Sequence, residues 1–167
     1  SNARWSKDGS RVAFLTGGQI WGGKVGRDRR IKAVRRLSNV PGGISEFSFS
    51  PDGKKVLYIS MIQGRVFKPV QEYADLPDAR AYKTDRLMYR RWDHWTTEIP
   101  HSFIAEFSWD GIGEGRDILS PEEAAFELPT EPFGGLEEIS WHPDSRHLAY
   151  SCRKVDGKEY AFSTNTE

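Results

Sequence analysis

The 167-residue sequence predicts an all-β fold, a partial β-propeller of about three to four four-stranded antiparallel blades. Three observations predict it. The first is a strand–turn–strand pattern over Phe47-Ser48-Phe49-Ser50-Pro51-Asp52-Gly53-Lys54-Lys55-Val56-Leu57-Tyr58-Ile59-Ser60. Here Pro51 presets φ for a turn, Asp52 tolerates the next position and Gly53 can take a positive φ. The second is recurrence: Arg4-Trp5-Ser6-Lys7-Asp8-Gly9-Ser10-Arg11-Val12-Ala13-Phe14-Leu15 and Ile139-Ser140-Trp141-His142-Pro143-Asp144-Ser145-Arg146-His147-Leu148-Ala149-Tyr150-Ser151 repeat it. The third is spacing. Asp8, Asp52 and Asp144 stand about 44 and about 92 residues apart, one period and two, and periods near 40–50 mark propellers.

Taken in order, residues 4–37 hold most of one unit. After the first hairpin, Gln19-Ile20-Trp21 and Lys32-Ala33-Val34 read as short strands separated by a polar turn from Gly22 to Arg30. Leu37 to Gly43 breaks the pattern, and Ile44 to Ser60 opens the next unit. Within its second strand, alternation sends Val56 and Tyr58 to one face and Leu57 and Ile59 to the other. A strand apolar on both faces is covered on both. Residues 61–100 are the least regular. Gln63-Gly64-Arg65 can turn, Gln71 to Ala81 is rich in breakers and acids, and Asp78 can cap a helix through Trp92 as readily as the segment can form strand. The strand signal returns at Ser102 to Phe107, turns at Trp109-Asp110-Gly111, and resumes at Arg116 to Leu119. A proline-rich connection (Pro121, Pro129, Pro132) leads to the third repeat, and the sequence stops within a unit by this count.

The motif Phe49-Ser50-Pro51-Asp52-Gly53-Lys54 resembles the propeller repeat of the TolB type. Three further stretches resemble the N-terminal β-propeller of bacterial dipeptidyl peptidase IV and prolyl oligopeptidase family serine peptidases. They are Asp85-Arg86-Leu87-Met88-Tyr89-Arg90-Arg91-Trp92-Asp93-His94-Trp95, Pro132-Phe133-Gly134-Gly135-Leu136-Glu137-Glu138, and Ala161-Phe162-Ser163-Thr164-Asn165-Thr166. The resemblance implies a non-catalytic domain that gates peptide entry to a C-terminal α/β-hydrolase domain. There a Ser-His-Asp triad would perform acyl transfer. It also implies an exported or periplasmic bacterial enzyme, a peptide substrate and no cofactor. On this division residues 1–3, Ser1-Asn2-Ala3, are the scar of a cleaved expression tag, and residues 4–167 are a fragment of the propeller domain. The rival is a TolB-like protein-binding propeller with no enzymatic activity, and a sugar-binding propeller is a weaker third. Fold alone does not separate them.

Composition excludes other classes. A formal net charge of zero argues against a nucleic-acid binder, and no apolar run is long enough for a membrane helix. The G-x-S-x-G elbow of a serine hydrolase is absent from the sequence. Its nearest lookalike, Gly43-Ile44-Ser45-Glu46-Phe47, lacks the closing glycine and leads into a strand, so no catalytic residue is expected in this segment. No metal site is expected either: His94, His101, His142 and His147 do not fit a zinc spacing, although His142 and His147 flank one tight turn and can approach. Arg86, Arg90 and Arg91 can clamp a carboxylate, with local pairing to Asp85 and Asp93 as the plainer alternative.

Glu122-Glu123 and Glu137-Glu138 invite comparison with the glutamate pair that holds the substrate amino terminus in dipeptidyl peptidases. Neither lies in the aromatic-rich helical context of that motif, and Glu122-Glu123 fits a helix first turn instead. Trp92, Trp95 and Trp141 are read as core packing before any ligand platform. Cys152, the single cysteine, sits in an apolar strand as a buried structural thiol. No binding residue is assigned. An open propeller leaves unpaired strand edges, so self-association is expected.

Overall fold

The repeated turns organise two consecutive antiparallel sheets and a third hairpin. The computed structural model describes residues 2–64 and 94–155, together with 75, 78, 84, 90, 91, 159, 162 and 163. The first sheet is a meander of β1 (Ala3–Trp5), β2 (Arg11–Thr16), β3 (Gln19–Val25) and β4 (Ile31–Arg36), in that spatial order. The second begins with β5 (Glu46–Phe49) and β6 (Lys55–Gln63). A short pair, β7 (Arg90–Arg91) and β8 (His94–Trp95), follows before β9 (Glu98–Ser108) returns to lie against β6. Two further short strands, β10 (Gly111–Ile112) and β11 (Arg116–Asp117), both pair with β9, giving five strands in all. β12 (Ile139–Trp141) and β13 (Leu148–Tyr150) form the third hairpin. The expected all-β class is therefore found, with every strand pair among the described residues antiparallel.

β6 is the central strand. It pairs with β9 without a slip from Lys55–Glu106 to Gln63–Glu98. Its alternation divides the interior in two, as the sequence pattern required. Val56 and Tyr58 join a core with Ala13, Ile20, Leu37, Ile44, Phe47, Ala105 and Phe107, between the first and second sheets. Leu57 joins a second core with Leu119, Leu128, Ile139 and Cys152, between the second sheet and the third hairpin. At the first contact Gly22 permits close approach: a Cβ there would lie 2.7 Å from Leu37 and 3.0 Å from Trp109. Ile112 N–H donates to the Leu37 carbonyl (3.0 Å), and Arg35 donates to the Trp109 carbonyl and to Asp110.

The elements differ from the sequence expectations at four places. β3 runs on through Gly22–Val25, because a bulge between Gly22 and Lys24 keeps it paired with β4 and confines the turn to residues 26–30. β9 begins at Glu98, earlier than its apolar signal, because β6 extends to Gln63 and pairs along the whole length. Of the strand expected over Arg116 to Leu119, Arg116–Asp117 pairs in register and Ile118 N–H still donates to the Ser102 carbonyl (3.0 Å), after which Leu119 leaves the sheet and is buried in the second core. The proline-rich connection carries two 3-10 turns, Pro121–Glu123 and Leu136–Glu138. Glu159 and Phe162 are helical, with Ser163 N–H donating to the Glu159 carbonyl at 2.8 Å. The helix-or-strand question over residues 79–92 lies mostly outside the described residues. No helix among the described residues is long and apolar enough to cross a membrane.

Candidate functional site

The three repeat turns share one hydrogen-bond scheme, which is the structural content of the sequence repeat. In the first, Ser6 Oγ donates to Asp8 (2.6 Å), Asp8 accepts the Ser10 N–H (3.1 Å), and Gly9 N–H donates to the Ser6 carbonyl (2.9 Å). In the second, Ser50, Asp52, Lys54 and Gly53 repeat these bonds at 2.6, 3.0 and 2.8 Å. In the third, Asp144 accepts the Arg146 N–H (2.8 Å) and Ser145 N–H donates to the His142 carbonyl (3.0 Å). Gly9, Gly53 and Ser145 occupy the same left-handed position, at φ 69°, 72° and 61°. A serine tolerates it because its side chain is used: Asp52 N–H donates to Ser145 Oγ (3.0 Å), and Lys55 Nζ reaches the Ser145 carbonyl (3.3 Å).

Donors converging on each aspartate favour its charged form. The Ser6 hydroxyl, then Ser10, hold Asp8 down at about 2. The Ser50 hydroxyl leads in lowering Asp52. The Arg146 N–H leads in holding Asp144 well below the usual carboxylate range, helped by His147 and His142.

Between the first two turns opens a cleft of about 580 Å³. Phe49, Phe107 and Trp109 supply its aromatic side, with Phe49–Phe107 centroids 4.4 Å apart and Phe107–Trp109 5.4 Å apart. Trp5, Arg4, Lys7, Asp8 and Asp52 complete the wall. Arg11 stacks over Trp109 at 5.3 Å to the ring centroid. Such a site can hold an apolar side chain beside a polar backbone or charged end. No histidine stands beside Ser6, Ser48 or Ser50 among the described residues that line it.

The other notable group is a buried imidazole. His101 on β9 is wholly buried, and its Nδ1 lies 2.6 Å from Asp117 Oδ2 on β11. Ser60 is its cross-strand partner, so serine, histidine and aspartate meet in one place. They do not form a triad. Ser60 Oγ donates to the Gly43 carbonyl (2.7 Å), and His101 Nε2 has no hydrogen-bond partner among the described residues. Asp117 in turn accepts the Leu119 N–H (3.0 Å), ending β11 where the chain turns inward. Nearby Tyr58 is shifted upward by burial and then by the Asp117 charge.

Of the residues singled out from sequence, His142 and His147 come together in the third turn, with ring centroids 5.9 Å apart. Arg86 and Trp92 lie outside the described residues, and Arg90 stands over Trp95 at 5.9 Å. Arg91 contributes backbone to β7, where it pairs with His94. One glutamate of each pair does local structural work. Glu123 accepts the Ser120 N–H (3.1 Å) and pairs with Lys154 (2.8 Å); Lys154 leads in holding its carboxyl down at about 2. Glu138 accepts the Thr130 N–H (2.8 Å). Trp141 packs against the second core. Cys152 is buried with its thiol on the Glu127 carbonyl (3.5 Å), and burial pushes it up to about 11, an inert thiol. Ser45 precedes β5 and bonds to Ile59, not to a base.

Two groups escaped the sequence argument. Asp117 carried no signal, because its partner His101 is near it only across the sheet. Asp144 was assigned to a turn, and its place between His142 and His147 follows from the H-x-D-x-x-H spacing.

An all-β segment with repeated aspartate turns and no nucleophile elbow is similar to part of a class of peptidases. Dipeptidyl-peptidase 5 of Porphyromonas gingivalis is 40% identical over 166 residues, covering 98% of this chain and 23% of that protein. Dipeptidyl-peptidase 5 of Porphyromonas endodontalis is 33% identical over 172 residues, with the same coverage of 98% and 23%. A more distant relative of the same name, from Arthroderma otae, is 22% identical over 92% of the chain. The chain therefore spans about a quarter of the length of the curated relatives it matches. No protein-family model matches it.

Proposed function

We propose that residues 4–167 are a non-catalytic β-propeller segment of a serine peptidase of the prolyl oligopeptidase or dipeptidyl peptidase kind. In this reading it gates the access of peptides to a C-terminal α/β-hydrolase site, where a serine triad releases dipeptides. The observation that carries the reading is similarity to proteins named dipeptidyl-peptidase 5 over 98% of the chain. Two features support it. Successive antiparallel sheets repeat one aspartate turn and pack face to face through β6, as blades do. The sequence also contains no G-x-S-x-G elbow, so any nucleophile belongs to another part of the protein.

The test uses the longer protein that contains this chain. It is expected to release dipeptides from short peptides with a free amino terminus and to lose activity with a serine-directed phosphonate. It is also expected to spare the same amino-terminal sequence when a folded domain follows directly. Equal cleavage of the folded and short substrates would remove the gate. Failure to hydrolyse any peptide would leave a binding propeller. Among the described residues the β12–β13 hairpin pairs with no further strand, which supports a second reading for the chain alone, self-association. Sedimentation from micromolar to millimolar concentration should show oligomers, and a monomer throughout would refute this.

A further inference from the structure

The third repeat turn differs from the other two at the positions that face its aspartate. Two residues before the aspartate stand Ser6, Ser50 and His142, and three residues after it stand Arg11, Lys55 and His147. The third turn alone among the repeats therefore sets two imidazoles around the carboxylate. His142 Nδ1 lies 3.1 Å from Asp144 Oδ1, and His147 Nδ1 lies 2.6 Å from Asp144 Oδ2. One ligand atom from each of the three residues falls within 4.8 Å of the others. The rings stand almost perpendicular, at 88°, with centroids 5.9 Å apart. Both imidazoles are open to solvent, with side chains 61% and 75% exposed.

We propose that His142, Asp144 and His147 form a surface binding site for a divalent transition-metal ion of the zinc, nickel or copper class. Two imidazole nitrogens and one carboxylate oxygen are the donor set that such ions prefer, and three protein ligands leave the remaining positions to water or a second donor. An ion at about 2.0–2.2 Å from each ligand keeps neighbouring donors close together, so rotations of the two exposed rings open the present hydrogen-bonded arrangement far enough. The proton between His147 Nδ1 and Asp144 Oδ2 leaves to solvent when the ion takes its place, whereas His142 Nδ1 already accepts the Asp144 N–H at 3.3 Å and exchanges that bond for the ion. The carboxylate itself is already fixed. Asp144 Oδ1 accepts the Arg146 and His147 N–H groups at 2.8 and 3.2 Å, and the Ser145 contact to Asp52 anchors the turn to its neighbour. Backbone donors thus do for the aspartate what an outer shell of hydrogen bonds does in known metal sites.

The sister turns supply the controls. His142→Ser and His147→Lys place in the third turn the residues that the second turn uses, so the hairpin keeps a side-chain set compatible with its geometry. Zn²⁺ titrated into the chain by calorimetry is expected to bind at one equivalent, with the His142 and His147 ring signals shifting together in NMR. Each substitution is expected to weaken binding about tenfold or more, and the double variant to abolish it, with unchanged circular dichroism. Ca²⁺ is expected not to compete, since one carboxylate is a poor site for a hard cation. Unchanged Zn²⁺ affinity in the folded double variant would overturn the proposal. So would the absence of stoichiometric binding to the parent chain, or displacement of Zn²⁺ by Ca²⁺.

Discussion

The two faces of β6 bury side chains against very different neighbours. Toward the first sheet, Val56 and Tyr58 meet residues that are themselves mostly on strands, and the aromatic groups touch in sequence from Phe47 to Phe49 to Phe107 to Trp109. Toward the third hairpin, Leu57 meets Leu119, Leu128 and Cys152, which come from connecting segments. Both cores close on residues from distant parts of the chain. The first is a contact between two hydrogen-bonded layers, and the second depends on coil being pinned in place. The pins are single bonds: Ser102 Oγ on the Leu128 carbonyl (2.9 Å), Leu128 N–H on the Pro100 carbonyl (3.0 Å), and Leu136 N–H on Glu46 (3.2 Å). Layer packing of this kind spreads its stability, while pinned coil concentrates it.

Substitutions on the two sides should therefore differ in extent as well as size. Phe47→Ala removes a wholly buried ring from the first core and should cost about 4 kcal/mol by chemical denaturation, with hydrogen-exchange protection falling in both sheets. Leu128→Ala should cost about 3 kcal/mol, with lost protection confined to residues 119–150 and the first sheet unaffected. A global loss in the second variant would break the distinction. Cys152→Ser, which puts a hydroxyl into the second core, should cost about 1–2 kcal/mol, and the native thiol should resist iodoacetamide at pH 8 until the protein unfolds.

The smallest effect is electrostatic and lies in the turns. Asp8 falls from its ordinary 3.8 to about 2 on folding, so its contribution is complete above pH 3.8 and is lost as the pH drops through about 2. Ser6→Ala removes the leading donor, and carboxyl NMR should then place the Asp8 midpoint closer to 3.8. An unmoved midpoint would show that the hydroxyl is not the cause.

What was legible in the sequence follows the same division. The hairpins, the two-sided burial of β6 and the repeat of the aspartate turn were visible because alternation and turn chemistry are local. The extent of β9 and the early end of β11 were not, since pairing with β6 and the Asp117–Leu119 bond decide them. Leu119 and Leu128 looked like strand or linker residues because nothing near them in sequence shows what they pack against. The candidate sites were harder still. The cleft needs Trp5, Trp109 and two separate turns in one place, and the His101–Asp117 contact joins residues sixteen apart across a sheet edge. The His142–Asp144–His147 group lies within six consecutive residues; the approach of the two imidazoles was legible there, and the place of the Asp144 carboxylate between them was hidden by its turn role.

Ser145 gives one more consequence. A glycine at its position, as in the first two turns, would relax the left-handed backbone but delete the hydroxyl that receives the Asp52 N–H. The residue that best suits the loop in isolation is thus the wrong one for the assembly. An averaged repeat sequence, written to perfect each unit, would lose the hydroxyl bond that ties the third turn to the second. Here a side chain on a left-handed backbone serves as mortar between turns.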